Sequence, residues 1–370
     1  MPDAPDAPEP VIPVLPAYDG AWVGALVPAL LEGDRAMLPE PVRGVTAVVV
    51  LVLDGLGWRM LEEHRGLMPN LGAMAGGPIT TTAPSTTSVA LTSIATGQPP
   101  SRHGIVGYRM RVGGEVLNVL RWPSGDRQPD PARVQPQLPF GGRGVPVVTK
   151  SEFRNSPFTI AHLRGSAFTG WRVVSTLVEH CRTLVAAGEP LVYAYTDGVD
   201  KVAHEYGLRD GFMLAELRST DALVGQLLDA LPGSAALVVT ADHGQVHVEP
   251  DGHRPLVALE PMVGAMAGEG RFRTLWARPG AAGELVAAAR ERFGHEAWVR
   301  TRDEVFAEGW LGADASQEVR GRIGDVVLAA HAPVIFVDKA MPLEIQMKSH
   351  HGSLTAAEML VPLIAARGRA

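Results

Sequence analysis

Cysteine is nearly absent from the 370-residue chain: Cys181 stands alone, so no intrachain disulfide can form. Its helical-looking surroundings, residues 177–184, make a buried structural thiol the expected role rather than a nucleophile. Excess positive charge is also missing. With 33 Lys and Arg against 40 Asp and Glu, the net charge of -7 argues against a partner gripped through its nucleic-acid backbone. Small anionic substrates stay compatible where a metal supplies the positive charge. No run reaches the ~18–20 apolar residues of a membrane helix. Residues 1–16, rich in Pro, Ala and Asp, have neither the basic nor the apolar region of a signal peptide. The expectation is a soluble cytoplasmic protein without a membrane partner, with residues 1–17 as a flexible tail.

What is present is globular material, 46% hydrophobic and 20% charged, in a chain long enough to bury a large core. Residues 48–53 are wholly apolar and stop at Asp54-Gly55-Leu56-Gly57, the pattern of a strand buried on both faces of a parallel sheet. Similar runs at 191–196 and 235–240 stop at Asp197-Gly198 and Ala241-Asp242-His243-Gly244. Helical spacing occurs at 18–38, 171–187, 212–231 and 355–366, and a short amphipathic stretch follows Asp54 through Arg65. This alternation predicts an α/β fold, a mostly parallel central sheet with helices on both faces.

Residues 79–88, dense in Thr and Ser around Pro84, read as strand, turn and helix start, an end that suits an anion. Residues 18–370 form a single expected domain with insertions at about 109–150 and 245–336. The first has a hairpin signal at Gly113-Gly114 and a Pro- and Gly-rich loop over 123–146; the second suggests a small β-α-β unit at 272–277, 285–293 and 298–301.

Each of the three apolar strands aims an acid at the strand's carboxyl end, where open α/β sheets bind ligands. Asp54, Asp200, His204, Asp242, His243 and His351 are oxygen and nitrogen donors without a thiolate, a mix that suits zinc, with manganese or iron as competitors. Six donors divide into two open sites of three, and two ions ~4 Å apart would clamp the attacking and leaving oxygens of a phosphoryl transfer. Asp200 and His204 are four apart and share a helix face, while Asp197, nearer the strand end, competes with Asp200. His103, His180 and His247 read as structural or solvated.

The order of these pieces resembles the nucleotide pyrophosphatase and phosphodiesterase branch of the alkaline phosphatase superfamily. The resemblance is carried by Leu53-Asp54-Gly55, Pro84-Ser85-Thr86-Thr87 with Thr96-Gly97, His103-Gly104-Ile105-Val106, Asp200 to His204 with Gly207, Asp242-His243-Gly244, and His351-Gly352. It implies an alkaline phosphatase-like fold and two zinc ions. One would be held by Asp54, Asp242, His243 and a threonine nucleophile, the other by Asp200, His204 and His351. The nucleophile position corresponds to Thr87, with Thr86, Ser85 and Ser88 as alternatives. Two departures stand out: Ser88-Val89-Ala90 replaces the family's Phe-Pro-Asn after the nucleophile, and Tyr108 occupies the position of its phosphate-binding asparagine. Tyr108 and Arg109 are therefore the expected substrate-binding side chains.

The function so implied is hydrolysis of phosphodiester or pyrophosphate bonds in a small phosphate-ester substrate through a covalent phospho-threonine. A phosphomonoesterase or phosphonate hydrolase ranks below it, because monoester specialists add a third metal or an arginine clamp, for which Arg102, Arg109 and Arg154 are the loose candidates. A catalytically inactive metal-binding module ranks lower still, since a hydroxyl is retained at position 87. The sequence leaves oligomeric state open.

Overall fold

The strand Ala47–Leu53 contains no polar side chain, and all seven of its residues are buried, as a place in the middle of a sheet requires. In the computed structural model, which describes residues 11–34, 36–122 and 128–370, it pairs in parallel with Leu191–Thr196 on one side and Ala235–Thr240 on the other. The full sheet has seven strands in the order Ala75–Thr80, Leu360–Arg367, Ala235–Thr240, Ala47–Leu53, Leu191–Thr196, Pro146–Lys150, Ala167–Trp171. Leu360–Arg367 alone runs against its neighbours. With its helices the sheet forms the expected mostly parallel α/β architecture.

Register brings the acids together. Leu53 lies opposite Thr196, and Val52 opposite Thr240, so Asp54, Asp197 and Ala241-Asp242 leave the sheet at one edge. That edge is the carboxyl end of parallel strands, where the chain turns into helices and leaves a crevice.

Several elements differ from the sequence pattern. Residues 355–366, expected as a helix, form the short helix Ala356–Met359 and then the strand Leu360–Arg367. A continuous apolar run does not distinguish the two periods, and Pro362, disfavoured inside a helix, sits in register with Pro78 of the edge strand. The helix expected over 18–38 is limited to Leu26–Glu32 and ends at Gly33 in the left-handed conformation, φ 77°. The helix expected from 171 begins only at Ser175, because Trp171 ends the strand Ala167–Trp171. Cys181 is buried in that helix, and burial pushes its thiol up to about 12, consistent with an inert side chain.

The hairpin Arg109–Val112 with Glu115–Asn118 closes through Gly113 and Gly114, both at positive φ. Of the expected loop 123–146, residues 123–127 lie outside the described residues; the rest carries a helical turn, Pro131–Val134. The insertion ends before Pro146, where a central strand begins. The second insertion contains the expected strand, helix and strand, Phe272–Ala277, Ala282–Phe293 and Ala297–Thr301, and two further strands complete a four-stranded sheet ordered Val263–Glu269, Phe272–Ala277, Val326–Ala330, Ala297–Thr301. Its first strand is rich in Gly and Ala, which weakens the β signal. Helix Ala282–Phe293 packs on it around Leu275, Leu285, Phe293, Leu328 and Phe336.

Residues 1–10 of the expected tail lie outside the described residues, but residues 11–17 lie against the body. Val14 N donates to Leu354 O at 2.9 Å, and Trp298 Nε1 donates to Val11 O at 2.7 Å.

A buried ion pair ties the inserted sheet to the central one. Arg271 and Glu358, both with fully buried side chains, form two hydrogen bonds of 2.7 and 2.8 Å. Glu358 also accepts Ser353 N at 2.9 Å, and the Glu358 carbonyl accepts Gly244 N at 2.8 Å. Removing one partner of such a pair leaves the other charge stranded and typically costs ~3–5 kcal/mol. Arg271→Ala is expected to lower the urea midpoint strongly, whereas Arg182→Ala, which removes an exposed pair with Glu179, leaves it unchanged. Equal midpoints for the two variants would contradict this assignment.

Candidate metal centre

Two trios of donors converge at the sheet edge: Asp54 with Asp242 and His243, and Asp200 with His204 and His351. Within each trio the donor atoms lie within 4.8 Å of one another. Asp54 follows its strand directly, and Asp242-His243 follow Ala241. Asp200 and His204 sit one turn apart on the helix Gly198–Tyr206, which starts where Leu191–Thr196 ends. His243 Nε2 lies 3.4 Å from Asp54 Oδ1 and 3.5 Å from Asp242 Oδ2. His204 Nε2 and His351 Nε2 lie 3.2 and 3.9 Å from Asp200 Oδ1. The trios adjoin, with the His243 and His351 rings stacked at 3.7 Å between centroids.

All three histidines use Nδ1 in the same way. The Nδ1 of His204, His243 and His351 is 2.7, 3.1 and 3.0 Å from the carbonyl oxygens of Ser349, Gly244 and Ser85. A proton on Nδ1 satisfies each carbonyl and leaves every Nε2 lone pair aimed into its trio, the arrangement that orients metal-bound histidines. The carboxylates are anchored similarly. Tyr195 Oη donates to Asp54 Oδ2, Gly55 N and His243 N each donate to Asp242 Oδ1 at 3.1 Å, and Gln245 Nε2 donates to Asp200 Oδ1 at 3.0 Å. What remains is Asp54 Oδ1 and Asp242 Oδ2, buried oxygens with no hydrogen-bond partner among the described residues. Two orphaned carboxylate oxygens facing an imidazole lone pair fit a divalent cation and little else.

Electrostatics agree. Burial, then the neighbouring Asp242 and Asp200 charges, push the Asp54 carboxyl well above its ordinary range, and burial raises Asp242 as well. Burial also opposes ionisation of Asp200, but the facing His204, by charge and hydrogen bond, outweighs it and holds that carboxyl low, and Asp200 in turn raises His204. Burial followed by the His243 ring keeps His351 neutral, the form that ligates metals. Gly55 explains itself at φ 77°: a Cβ there would fall 2.4 Å from Gln245 Nε2.

The hydroxyl run is sorted by its contacts. Thr87, the first residue of the helix Thr87–Thr96, places Oγ1 3.1 Å from His243 Nε2. Ser85 Oγ donates to Ser353 O at 2.6 Å, Thr86 Oγ1 donates to Glu269 Oε2 at 2.7 Å, and Ser88 Oγ is buried without a partner. Asp197 is drawn away from both trios by Lys150 and Lys201, at 2.5 and 3.0 Å. His103 is pinned by Ser93 Oγ and Ile105 N, and burial lowers it to about 3. His180 is half-buried on the helix Ser175–Ala186, and His247 faces Glu249 at 3.0 Å. Tyr108 lines the site, and the Arg109 guanidinium is ion-paired with Asp338, both largely buried. The sequence offered no partner for Arg109, because Asp338 lies 229 residues away.

Two cavities meet at Thr87 and Asp200. One, of about 310 Å³, runs past Tyr195, Phe153, Phe158 and Leu91. The other, of about 450 Å³, runs past Tyr108, Arg121, Glu269, Met341 and His351. Glu269, Gln245, Tyr195 and Arg121 carry no motif. Only the alternation of Tyr193 and Tyr195 on one face of a strand that ends in acid gave a signal for any of them.

Fold and site together define an alkaline phosphatase-like hydrolase. The sequence pattern of the Type I phosphodiesterase / nucleotide pyrophosphatase family matches residues 48–354, and the chain belongs to that family, whose enzymes are metal-dependent. No individually curated protein matches the chain. Among solved structures it is similar to murine ectonucleotide pyrophosphatase / phosphodiesterase 5, in an inactive form in complex with AMP. The TM-score is 0.68 at 15% identity, covering 87% of this chain and 88% of that one. The human ectonucleotide pyrophosphatase / phosphodiesterase 5 structure gives a TM-score of 0.67 at 15% identity over 86% and 87% of the two chains. Among the described residues no helix is long and apolar enough to cross a membrane.

Asp54→Asn removes one ionisable, buried carboxyl group from the trio it shares with Asp242 and His243. In chelator the variant is expected to melt no lower than the parent, and on addition of zinc to show a smaller upward shift, because fewer anionic donors remain to bind the ion. A full zinc-induced shift in Asp54→Asn would argue against ligation at that position.

Proposed function

We propose that the protein hydrolyses phosphodiester or pyrophosphate bonds through a covalent phosphate ester on Thr87. Asp54, Asp242, His243 and Thr87 would hold one zinc ion, and Asp200, His204 and His351 a second; manganese or iron suits the same donors less closely. Bound there, the ions lower the cost of ionising the nucleophilic hydroxyl and neutralise charge on the phosphoryl oxygens. Thr87 Oγ1 attacks phosphorus and gives up its proton to solvent, and the bond to the departing alcohol or phosphate breaks as that group takes up a proton. Water then attacks phosphorus and gives up a proton, the bond from phosphorus to Thr87 Oγ1 breaks, the phosphate product leaves, and a proton taken up by Oγ1 restores the hydroxyl.

The observation that carries this reading is the position of Thr87 Oγ1, 3.1 Å from His243 Nε2 at a helix start. Backbone N–H groups at a helix start face an incoming phosphate. Tyr108, in the place of the family's asparagine, offers a further donor from the wall of the larger cavity.

A diester is favoured over a monoester by two features. Cavities on both sides of Thr87 provide room for two substituents. The arginines that might clamp a monoester are engaged elsewhere: Arg102 with Asp314, Arg109 with Asp338, and Arg154 with the carbonyl and ring of Phe168. The aromatic walls of the smaller cavity suit an apolar or planar substituent.

The test is hydrolysis of bis-p-nitrophenyl phosphate against p-nitrophenyl phosphate, with metal content measured on the same preparation. The wild type is expected to hold about two ions and to prefer the diester, and Thr87→Ala to lose roughly 10³-fold or more in kcat, the scale of losing a covalent nucleophile. Two ions with neither ester cleaved would establish an inactive module. A fully active Thr87→Ala beside an inactive Thr86→Ala would move the nucleophile back one residue.

A further inference from the structure

Three acids outside the trios line the two cavities: Asp197 is paired with Lys150 and Lys201, Glu344 with Arg273, and Glu269 with neither an arginine nor a lysine among the described residues. Glu269 ends the inserted strand Val263–Glu269 and is the point at which the second sheet reaches the chemistry. The side chain is buried, yet it faces no arginine or lysine directly: Oε2 accepts the Thr86 hydroxyl at 2.7 Å and lies 3.8 Å from His351 Nδ1, and Oε1 has no partner among the described residues. A carboxyl buried with a single hydrogen bond is costly, so its retention calls for a purpose.

Its one partner sits directly before Thr87. Thr86 occupies the N-cap position of the helix Thr87–Thr96 with extended dihedrals, φ -139° and ψ 146°, but its side chain makes no capping hydrogen bond. The hydroxyl that would ordinarily cap the helix is turned to Glu269 instead. The preceding residue is fixed from the same direction, by Ser85 Oγ to Ser353 O and Ser85 N to Gly352 O at 3.1 Å. Gly352 leaves the room that Glu269 occupies, since a Cβ there would come 2.8 Å from Glu269 Cγ. Ser85 is therefore sewn to the segment after His351, Thr86 to the inserted sheet, and Thr87 faces His243.

We propose that Glu269 is a positioning residue for Thr87, acting through the Thr86 hydroxyl to set the rotation of the helix start and hence the line of attack of Thr87 Oγ1. This rests on Thr87 being the nucleophile. Glu269 hydrogen-bonds Thr86, whereas its 3.8 Å approach to His351 Nδ1 is no hydrogen bond. The effect assigned to it therefore falls on the chemical step, and KM and metal content are the controls that separate this from substrate capture and metal loading. Misplacing a reacting group by about 1 Å costs on the order of 10²-fold in rate.

The experiment uses the full-length, zinc-loaded protein and bis-p-nitrophenyl phosphate. Glu269→Ala, Glu269→Gln, Thr86→Val, the double variant Glu269→Ala/Thr86→Val, and Thr87→Ala as reference are compared for kcat, KM, metal content and melting temperature. Glu269→Ala and Thr86→Val are each expected to lower kcat by ~10–10²-fold with KM and metal content unchanged. The double variant should be no worse than either single one, because both cut the same link. Glu269→Gln, which keeps an acceptor oxygen for Thr86, should restore kcat to within about threefold of wild type. Multiplying losses in the double variant overturn the proposal. So does a Glu269→Gln as slow as Glu269→Ala, or a fall in metal content that parallels kcat. If Thr87→Ala is inactive while Glu269→Ala is fully active, the positioning role fails and the nucleophile stands. If Thr87→Ala is itself active, both fall together.

Discussion

Three carboxyl groups crowded at one edge of a sheet, two of them buried and the third partly so, dictate the rest of this structure. Asp54, Asp200 and Asp242 are brought together by the parallel pairing of Ala47–Leu53 with its two neighbours. Taking carboxylates out of water costs several kcal/mol each unless opposite charge is close. The chain supplies three neutral-capable imidazoles, a tyrosine hydroxyl and backbone N–H groups, and it still leaves two carboxylate oxygens unsatisfied. The edge is thus built for cations. The histidines are held by their Nδ1 atoms so that the rings cannot rotate their Nε2 lone pairs away from the trios.

From that constraint the peripheral elements gain a purpose. Gly55 is glycine because Gln245, which anchors Asp200, occupies the space a side chain would take. The inserted four-stranded sheet is fastened to the edge by the buried Arg271–Glu358 pair and delivers Glu269 beside Thr86. The same insertion and the Arg109–Val112 hairpin are joined through Arg109, Asp338, Arg273 and Glu344, which closes the larger cavity over the site. Arg109 joins the two inserted segments through Asp338.

Much of this was legible in the sequence because the central strands are unambiguous. Residues 48–53 and 235–240 are apolar at every position up to their last residues, and each is followed by an acid within two residues. A buried strand that ends in charge points to a ligand. The pairing of Asp200 with His204 followed from helical spacing, and the competing Asp197 was separable only by its two lysines, one of them 47 positions upstream in the chain. The strand Leu360–Arg367 was not legible as a strand, since an apolar run fits either period, although Pro362 was a signal against a helix. Glu269 was illegible for a different reason: nothing local marks a carboxylate whose only hydrogen-bond partner is 183 residues away.

The proposed chemistry requires two ions flanking Thr87. Anomalous diffraction at the zinc edge from zinc-loaded crystals measures this directly. The account predicts two peaks, one among Asp54, Asp242 and His243 and one among Asp200, His204 and His351, with Thr87 Oγ1 reaching the first. A single peak shared between the trios, or zinc bound only at Glu269, would contradict it.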